Sequence, residues 1–181
     1  MDPSEARALI EGALPPGTAG GTWADLGAGT GTFTLALATL LGPSGKVIAV
    51  DRDPASVVAL RQTVERRRAN DGAQIIVQLA DFAEPFELPE LDGALLANAL
   101  HFVPPDEQLA VLRGIVPSLK PAGRIVLVEY EGRRANQWVP HPIPFSRFRT
   151  LARQARLSAP VQLGSKSSIY GGALYAAYAE R

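Results

Sequence analysis

The chain has 181 residues, 46% apolar and 20% charged, with a formal net charge of zero. That is the make-up of one globular domain, with no room for a second substrate-binding domain and no apolar run near the ~20 residues that cross a bilayer. Cysteine is absent and His101 and His141 are the only histidines, which excludes disulfides and thiolate nucleophiles and makes metal-free chemistry the expectation.

The first residues, MDPSEARALIEGALPPG, carry acids among the apolar positions and do not read as a secretory signal, so a cytoplasmic location is the default expectation. Within them Pro3 to Leu14 reads as a short helix, with Ala6, Leu9, Ile10 and Ala13 along one side and a stop at Pro15-Pro16-Gly17. It is expected to form an N-terminal flap over residues 1–17. Thr22 to Leu26 is a buried-type strand that runs into Gly27, Gly29 and Gly31. From about Gly31 a helix follows, with Phe33, Leu37, Leu40 and Leu41 on one face. Glycines at such a junction let a ligand approach the main chain where a Cβ would collide.

Lys46 to Val50 is a second strand ending on Asp51, and Asp53-Pro54 opens a helix carrying Val57, Leu60 and Val64 as far as Arg66-Arg67-Arg68. Ala73 to Leu79 is a third strand with Asp81 just beyond it, and Leu91 to Ala97 a fourth, leading to Asn98, Leu100 and His101. A helix from about Pro105 carries Leu109, Leu112, Ile115 and Val116, with Pro117 ending it. Pro121-Ala122-Gly123 reads as a turn into a fifth strand, Arg124 to Val128, which exits at Glu129-Tyr130-Glu131. Gly132 to Pro144 is an irregular loop around Trp138. Phe145, Phe148, Leu151, Ala152 and Ala155 mark a last helix with Arg147, Arg149, Arg153 and Arg156 on its other sides. Val161 to Ile169 and Ala173 to Ala179, joined through Tyr170-Gly171-Gly172, read as a terminal hairpin.

Charge is uneven along this order. Asp71 to Glu107 holds eight acids and no Lys or Arg, whereas Gly132 to Arg181 holds eight bases against Glu180 alone. Scattered arginines of this kind read first as solvated helix faces, and nucleic acid is not the expected partner. Buried strands alternating with amphipathic helices imply a parallel sheet covered on both faces. Ligands in such folds sit over the strand C-termini.

Asp51 lies twenty residues after Gly31 at the next strand exit, where a carboxylate can accept from both hydroxyls of a ribose. Asp53 already fills the helix-capping position, which leaves Asp51 for a ligand. The glycine run is G-A-G-T-G, closer-set than a dinucleotide G-x-G-x-x-G, and Asp25 precedes it. A carboxylate there repels phosphate and suits a cationic, amino-bearing ligand.

Asp25-Leu26-Gly27-Ala28-Gly29-Thr30-Gly31, followed by Val50-Asp51, Ala80-Asp81-Phe82, Asn98-Ala99-Leu100-His101 and Leu119-Lys120-Pro121-Ala122-Gly123, resembles the ordered motifs of class I S-adenosylmethionine-dependent methyltransferases. The nearest likeness is to small-molecule enzymes of the ubiquinone/menaquinone-biosynthesis type, and it covers about Trp23 to Tyr130. Ala122 departs from it where many members carry a second glycine. The resemblance implies an α/β fold, a Rossmann-like three-layer sandwich whose seven-stranded, mostly parallel sheet has the order 3-2-1-4-5-7-6 with its last strand antiparallel. It implies one methyltransferase-like domain, with a cofactor-binding core over 22–131 and an acceptor-side loop, helix and hairpin over 132–181.

By the same resemblance, Asp25 and the main chain of Gly27, Ala28, Gly29 and Gly31 would hold the methionine part of S-adenosylmethionine, and Asn98 would help seat it. Asp51 would bind the ribose, Arg52 would lie near the adenine, Asp81 would accept from the adenine amino group, and the Phe82 N–H would donate to a ring nitrogen. In-line methyl transfer leans on positioning, worth ~7 to 11 kcal/mol for a well-held pair, and leaves S-adenosylhomocysteine. If the acceptor must lose a proton, His101 is the first candidate base, ahead of Glu129, Tyr130 and His141. Trp138, Pro140 and the helix at Phe145 are the expected wall for a small, apolar or aromatic acceptor. The alternatives are a non-catalytic cofactor-binding module and, less favoured by the glycine spacing, a nicotinamide-dependent oxidoreductase.

Overall fold

The computed structural model describes residues 1–15, 19–67, 72–132, 134–167 and 172–181. The expected Pro16-Gly17 stop, Arg68 and the Tyr170-Gly171 turn lie outside them. Helix α1 (Pro3–Ile10) opens with a capping box: Asp2 accepts from the Ser4 and Glu5 N–H groups, and Glu5 reaches back to the Asp2 N–H. Then come β1 (Thr22–Leu26), α2 (Thr32–Leu41), β2 (Lys46–Asp51), α3 (Pro54–Glu65), β3 (Gln74–Leu79) and β4 (Leu91–Ala97). The second half has α4 (Gln108–Ile115), β5 (Leu119–Glu131), α5 (Phe145–Gln154), β6 (Val161–Ser167) and β7 (Ala173–Glu180).

The sheet has seven strands in the order β3-β2-β1-β4-β5-β7-β6, parallel from β3 to β5. Strand β7 runs antiparallel to both β5 and β6. Period-two alternation sends neighbouring side chains to opposite faces. Trp23, Val47 and Leu95 therefore meet Ala6, Ile10, Leu37 and Leu41 of α1 and α2 on one face. Ala24, Ile48 and Leu96 meet Leu112, Ile115, Phe148 and Leu151 of α4 and α5 on the other. Among the described residues no helix is long and apolar enough to cross a membrane.

One element departs from the sequence reading. Strand β5 begins at Leu119, five residues before Arg124, and runs through Pro121-Ala122-Gly123. Leu119 pairs with Leu91 before the register shifts to Gly93 opposite Arg124. Ala122 has φ 61°, the left-handed conformation that a glycine takes without steric cost. The backbone keeps a glycine's geometry and an alanine bears it. Ala122→Gly is accordingly expected to stabilise the fold by about 1 kcal/mol, a rise of roughly 2–4 °C in melting temperature by calorimetry; a fall would show that the alanine methyl contributes more than the strain costs.

Candidate functional site

The exits of β1, β2, β3 and β4 meet along one edge of the sheet. Leaving β1, the Gly27 and Ala28 N–H groups both donate to the Val50 carbonyl, at 2.8 and 3.0 Å, which folds the glycine loop against the end of β2. Gly27 and Gly29 have φ of 81° and 54°. A Cβ at Gly27 would stand 2.5 Å from that of Ala99, whereas one at Gly29 would meet nothing within 4 Å. Gly27 thus serves the approach of the β4 exit, and Gly29 opens onto empty space. Gly31 lines neither cleft at this edge, and a side chain there would strike Leu60 of α3. Its glycine serves helix packing.

Two clefts border this loop. The larger, about 520 Å³, includes Asp51, Arg52, Asp81, Phe82 and Trp138. The smaller, about 300 Å³, includes Asp25, Ala28, Thr30 and Phe33. Gly27, Gly29 and Asn98 belong to both. Every cofactor residue expected from the sequence except Gly31 therefore lines one of them.

In the larger cleft the Asp51 carboxylate accepts from the Gly29 N–H at 2.6 Å and the Asp53 N–H at 2.9 Å. Those bonds fix its position without filling its acceptor capacity. Arg52 Nη1 donates to Asp81 Oδ2 at 3.2 Å, and the other Asp81 oxygen accepts from the Ala83 N–H at 3.0 Å. Asp53 caps α3, accepting from the Ala55 and Ser56 N–H groups, as its position before Pro54 predicts.

The smaller cleft has a different character. Asp25 is fully buried and accepts from Thr34 Oγ1 at 2.6 Å. Burial pushes its carboxyl up to about 7, the Thr34 hydrogen bond opposes that rise, and the Asp51 charge adds to it. A buried carboxyl so poised favours a cationic ligand, whose charge would restore its ionisation. Thr34 was not legible as a site residue, because its hydroxyl lies within an otherwise apolar helix face. Asn98 stands at the junction with φ 53°. Its N–H donates to the Val128 carbonyl at 2.8 Å, while its side-chain Oδ1 is buried with no hydrogen-bond partner among the described residues. An unmet acceptor beside an open glycine is a feature that a donor-bearing ligand accounts for.

Phe102, Val103 and Trp138 also line the larger cleft. Trp138 is 71% exposed and Phe102 45%. The side chain of Asn136 holds Trp138 in place by accepting from the Trp138 and Val139 N–H groups, and Val139 is buried beneath. Pro140 and Phe145, expected in this wall, are not part of it; Phe145 packs edge-on against Tyr175 at 5.8 Å.

His101 sits just beyond the β4 exit, in the 3-10 turn Leu100–Phe102. Its side chain is 2% exposed, and Nδ1 lies 2.7 Å from Glu129 Oε2, while its N–H donates to Glu129 Oε1 at 3.2 Å. It does not line the larger cleft, and the pair anchors that turn. Glu129, Tyr130 and His141 do not line it either. Among the described residues no group of three or more potential metal ligands occurs.

Known proteins share this architecture. The chain is 33% identical over 105 residues to a demethylmenaquinone methyltransferase of Lactococcus lactis, covering 58% of this chain and 40% of the relative. It is 38% identical over 82 residues to a ribosomal RNA small subunit methyltransferase H of Acidobacterium capsulatum, covering 42% and 28%. The chain thus spans well under half the length of these two relatives. A solved SAM-dependent methyltransferase of Methanosarcina mazei superposes with a TM-score of 0.74 at 15% identity, covering 95% of this chain and 96% of that one. At that identity the likeness is one of fold. The model of the methyltransferase domain family matches residues 24–123, more than half of the chain, and the chain belongs to that family.

Proposed function

We propose that this chain binds S-adenosylmethionine across the two clefts and transfers its methyl group to a small, flat, apolar or aromatic acceptor. The observation that carries the reading is the pair of carboxylates in two neighbouring clefts that share Gly27, Gly29 and Asn98. Asp51 is free to accept from a diol in one cleft, buried Asp25 is suited to an ammonium in the other, and Gly29 and Asn98 lie between them. S-adenosylmethionine carries those two groups on either side of a sulfonium, which supplies an electrophilic methyl.

The chain's residues then bind and orient. Asp81 and the Phe82 main chain stand where the far end of an adenosine would reach. Residues 132–181 supply Trp138 to the acceptor side, and Phe102 with Val103 completes an apolar wall for a flat molecule. His101 positions that wall through Glu129. Orientation dominates catalysis, and a proton lost by the acceptor leaves through the open mouth of the cleft.

Thermal shift tests this reading. S-adenosylhomocysteine at about a hundred times its dissociation constant stabilises the fold by ~2.7 kcal/mol, a rise of roughly 5–10 °C. NADH is expected to give no shift. Trp23 is fully buried and Trp138 exposed, so acrylamide quenching of tryptophan fluorescence reports Trp138 and should fall when a flat acceptor is added. Stabilisation by NADH, or none by S-adenosylhomocysteine, would overturn the proposal. Cofactor binding with no methyl transfer to any flat acceptor would return the chain to a non-catalytic module.

A further inference from the structure

His101 and Glu129 form a buried polar pair that lines neither cleft. A buried carboxylate is costly unless it is paired, and an apolar pair of similar volume would hold a core equally well. Glu129 commits both oxygens to one residue: Oε1 accepts from the His101 N–H at 3.2 Å, and Oε2 lies 2.7 Å from His101 Nδ1. What is secured is the short turn Leu100–Phe102, whose first residue is in the core and whose last is held exposed in the larger cleft. The imidazole also packs against that exposed ring, with centroids 4.4 Å apart.

The same strand end fixes the loop that carries Trp138. Beyond Glu129 on β5, Glu131 accepts from the Phe145 N–H at 2.8 Å, where α5 begins. Tyr175 Oη donates to the Ile143 carbonyl at 2.9 Å. Just past Trp138, the His141 N–H donates to the His101 carbonyl at 3.1 Å. His101 thus meets β5 through its Nδ1 and N–H, and the Trp138 loop through its carbonyl. Phe102 and Trp138, the exposed aromatics of the larger cleft, stand on separate segments that are both bonded at this one residue. The bond that holds Asp51 to Gly29 joins β2 to the glycine loop and does not pass through it.

Resting on the reading of the larger cleft as the acceptor site, we propose that the His101–Glu129 pair is a positioning unit that sets the spacing of Phe102 and Trp138, and through it which flat acceptors the cleft takes. Contact with an aromatic ring is favourable over a narrow range of separations, so a wall that shifts forfeits it. A two-ring molecule has more face to lose than a one-ring molecule, and loosening the spacing lowers the preference for the larger one. Cofactor affinity stays, because Asp51 and Asp25 are held by other bonds.

Calorimetric titration of phenol and 2-naphthol into the whole chain with S-adenosylhomocysteine bound tests the pair. The wild type is expected to prefer 2-naphthol by at least about tenfold. His101→Leu/Glu129→Met puts apolar groups of similar size in place of the pair; it should bind S-adenosylhomocysteine within a few-fold of the wild type and 2-naphthol about three- to tenfold more weakly. His141→Pro removes the N–H that ties the loop, leaves the core unchanged and should have the same effect. Glu129→Gln, whose amide still meets both His101 groups, should stay near the wild type. Tryptophan anisotropy needs no probe: Trp23 is fully buried, so a fall in the two loosened variants reports Trp138. Undiminished 2-naphthol affinity in either variant that folds, unchanged anisotropy, or cofactor affinity lost in step with probe affinity would overturn the positioning role and leave the cofactor site standing. A wild type that binds neither probe would instead remove the acceptor site on which that role rests.

Discussion

Replacing Asp51 by alanine is expected to weaken S-adenosylhomocysteine binding by about 10- to 150-fold, the equivalent of ~1.5–3 kcal/mol for hydrogen bonds to a charged group. The carboxylate is held by the Gly29 and Asp53 N–H groups at 2.6 and 2.9 Å, so its alignment is set before any ligand arrives. Removing it takes away the proposed ribose contact and also frees the Gly29 N–H that shapes the loop. Asp51→Asn should fall between, since an amide oxygen accepts without charge. Asp53→Ala is the control: it loses the two N–H contacts that cap α3, costing about 1 kcal/mol of stability, and should leave affinity within a few-fold. Calorimetry that finds equal affinity for Asp51→Ala and the wild type would remove the ribose assignment.

The second large effect is expected at Asp25, whose carboxyl is raised from 3.8 to about 7. A bound ammonium favours the ionised form, so ligand binding near neutral pH should release a fraction of a proton. Heats of binding should then differ between buffers of different ionisation enthalpy. Affinity should fall by up to about tenfold for each pH step below about 7 and level off above it. Asp25→Asn should bind more weakly at pH 8 with no such slope.

Stability moves the opposite way. The folded carboxyl holds its proton more tightly than the unfolded one, so this contribution is full below 3.8 and is lost as pH rises through about 7. A rise from 3.8 to about 7 corresponds to about 4 kcal/mol. Free Asp25→Asn should therefore be more stable than the wild type at pH 8, by up to that amount, and lose the advantage toward pH 4. Flat pH profiles for both proteins would show that Asp25 is ionised before the ligand binds.

The strand exits were legible because each is a local signal: an apolar run ends, and a glycine, acid or amide follows. Asp25, Asp51, Asp81 and Asn98 are placed by that rule alone. Partners far away in sequence were not legible. His101 reads as a candidate base, and nothing local announces that Glu129, 28 residues on, holds its Nδ1 and its N–H. Gly31 reads as a ligand contact, and nothing local announces that Leu60 fills the space where a side chain would go. The early start of β5 depends on the far end of the chain, where the Ala122 N–H donates to the Arg181 carbonyl and the Arg181 N–H to that of Gly123. No local pattern around Pro121 announces that pairing. Trp138 was expected at the cleft because a tryptophan in a long irregular loop has no core to enter, and it does line the larger one. Pro140 and Phe145 were taken with it by proximity, and the fold sends them elsewhere.

The decisive experiment is a crystal structure with S-adenosylhomocysteine bound. Both ribose hydroxyls are expected on the Asp51 carboxylate, the ammonium beside Asp25, and the sulfur near Gly29 and Asn98 with its open side toward Trp138. Density for the ligand anywhere other than these two clefts, or a ribose that makes no contact with Asp51, would contradict this placement.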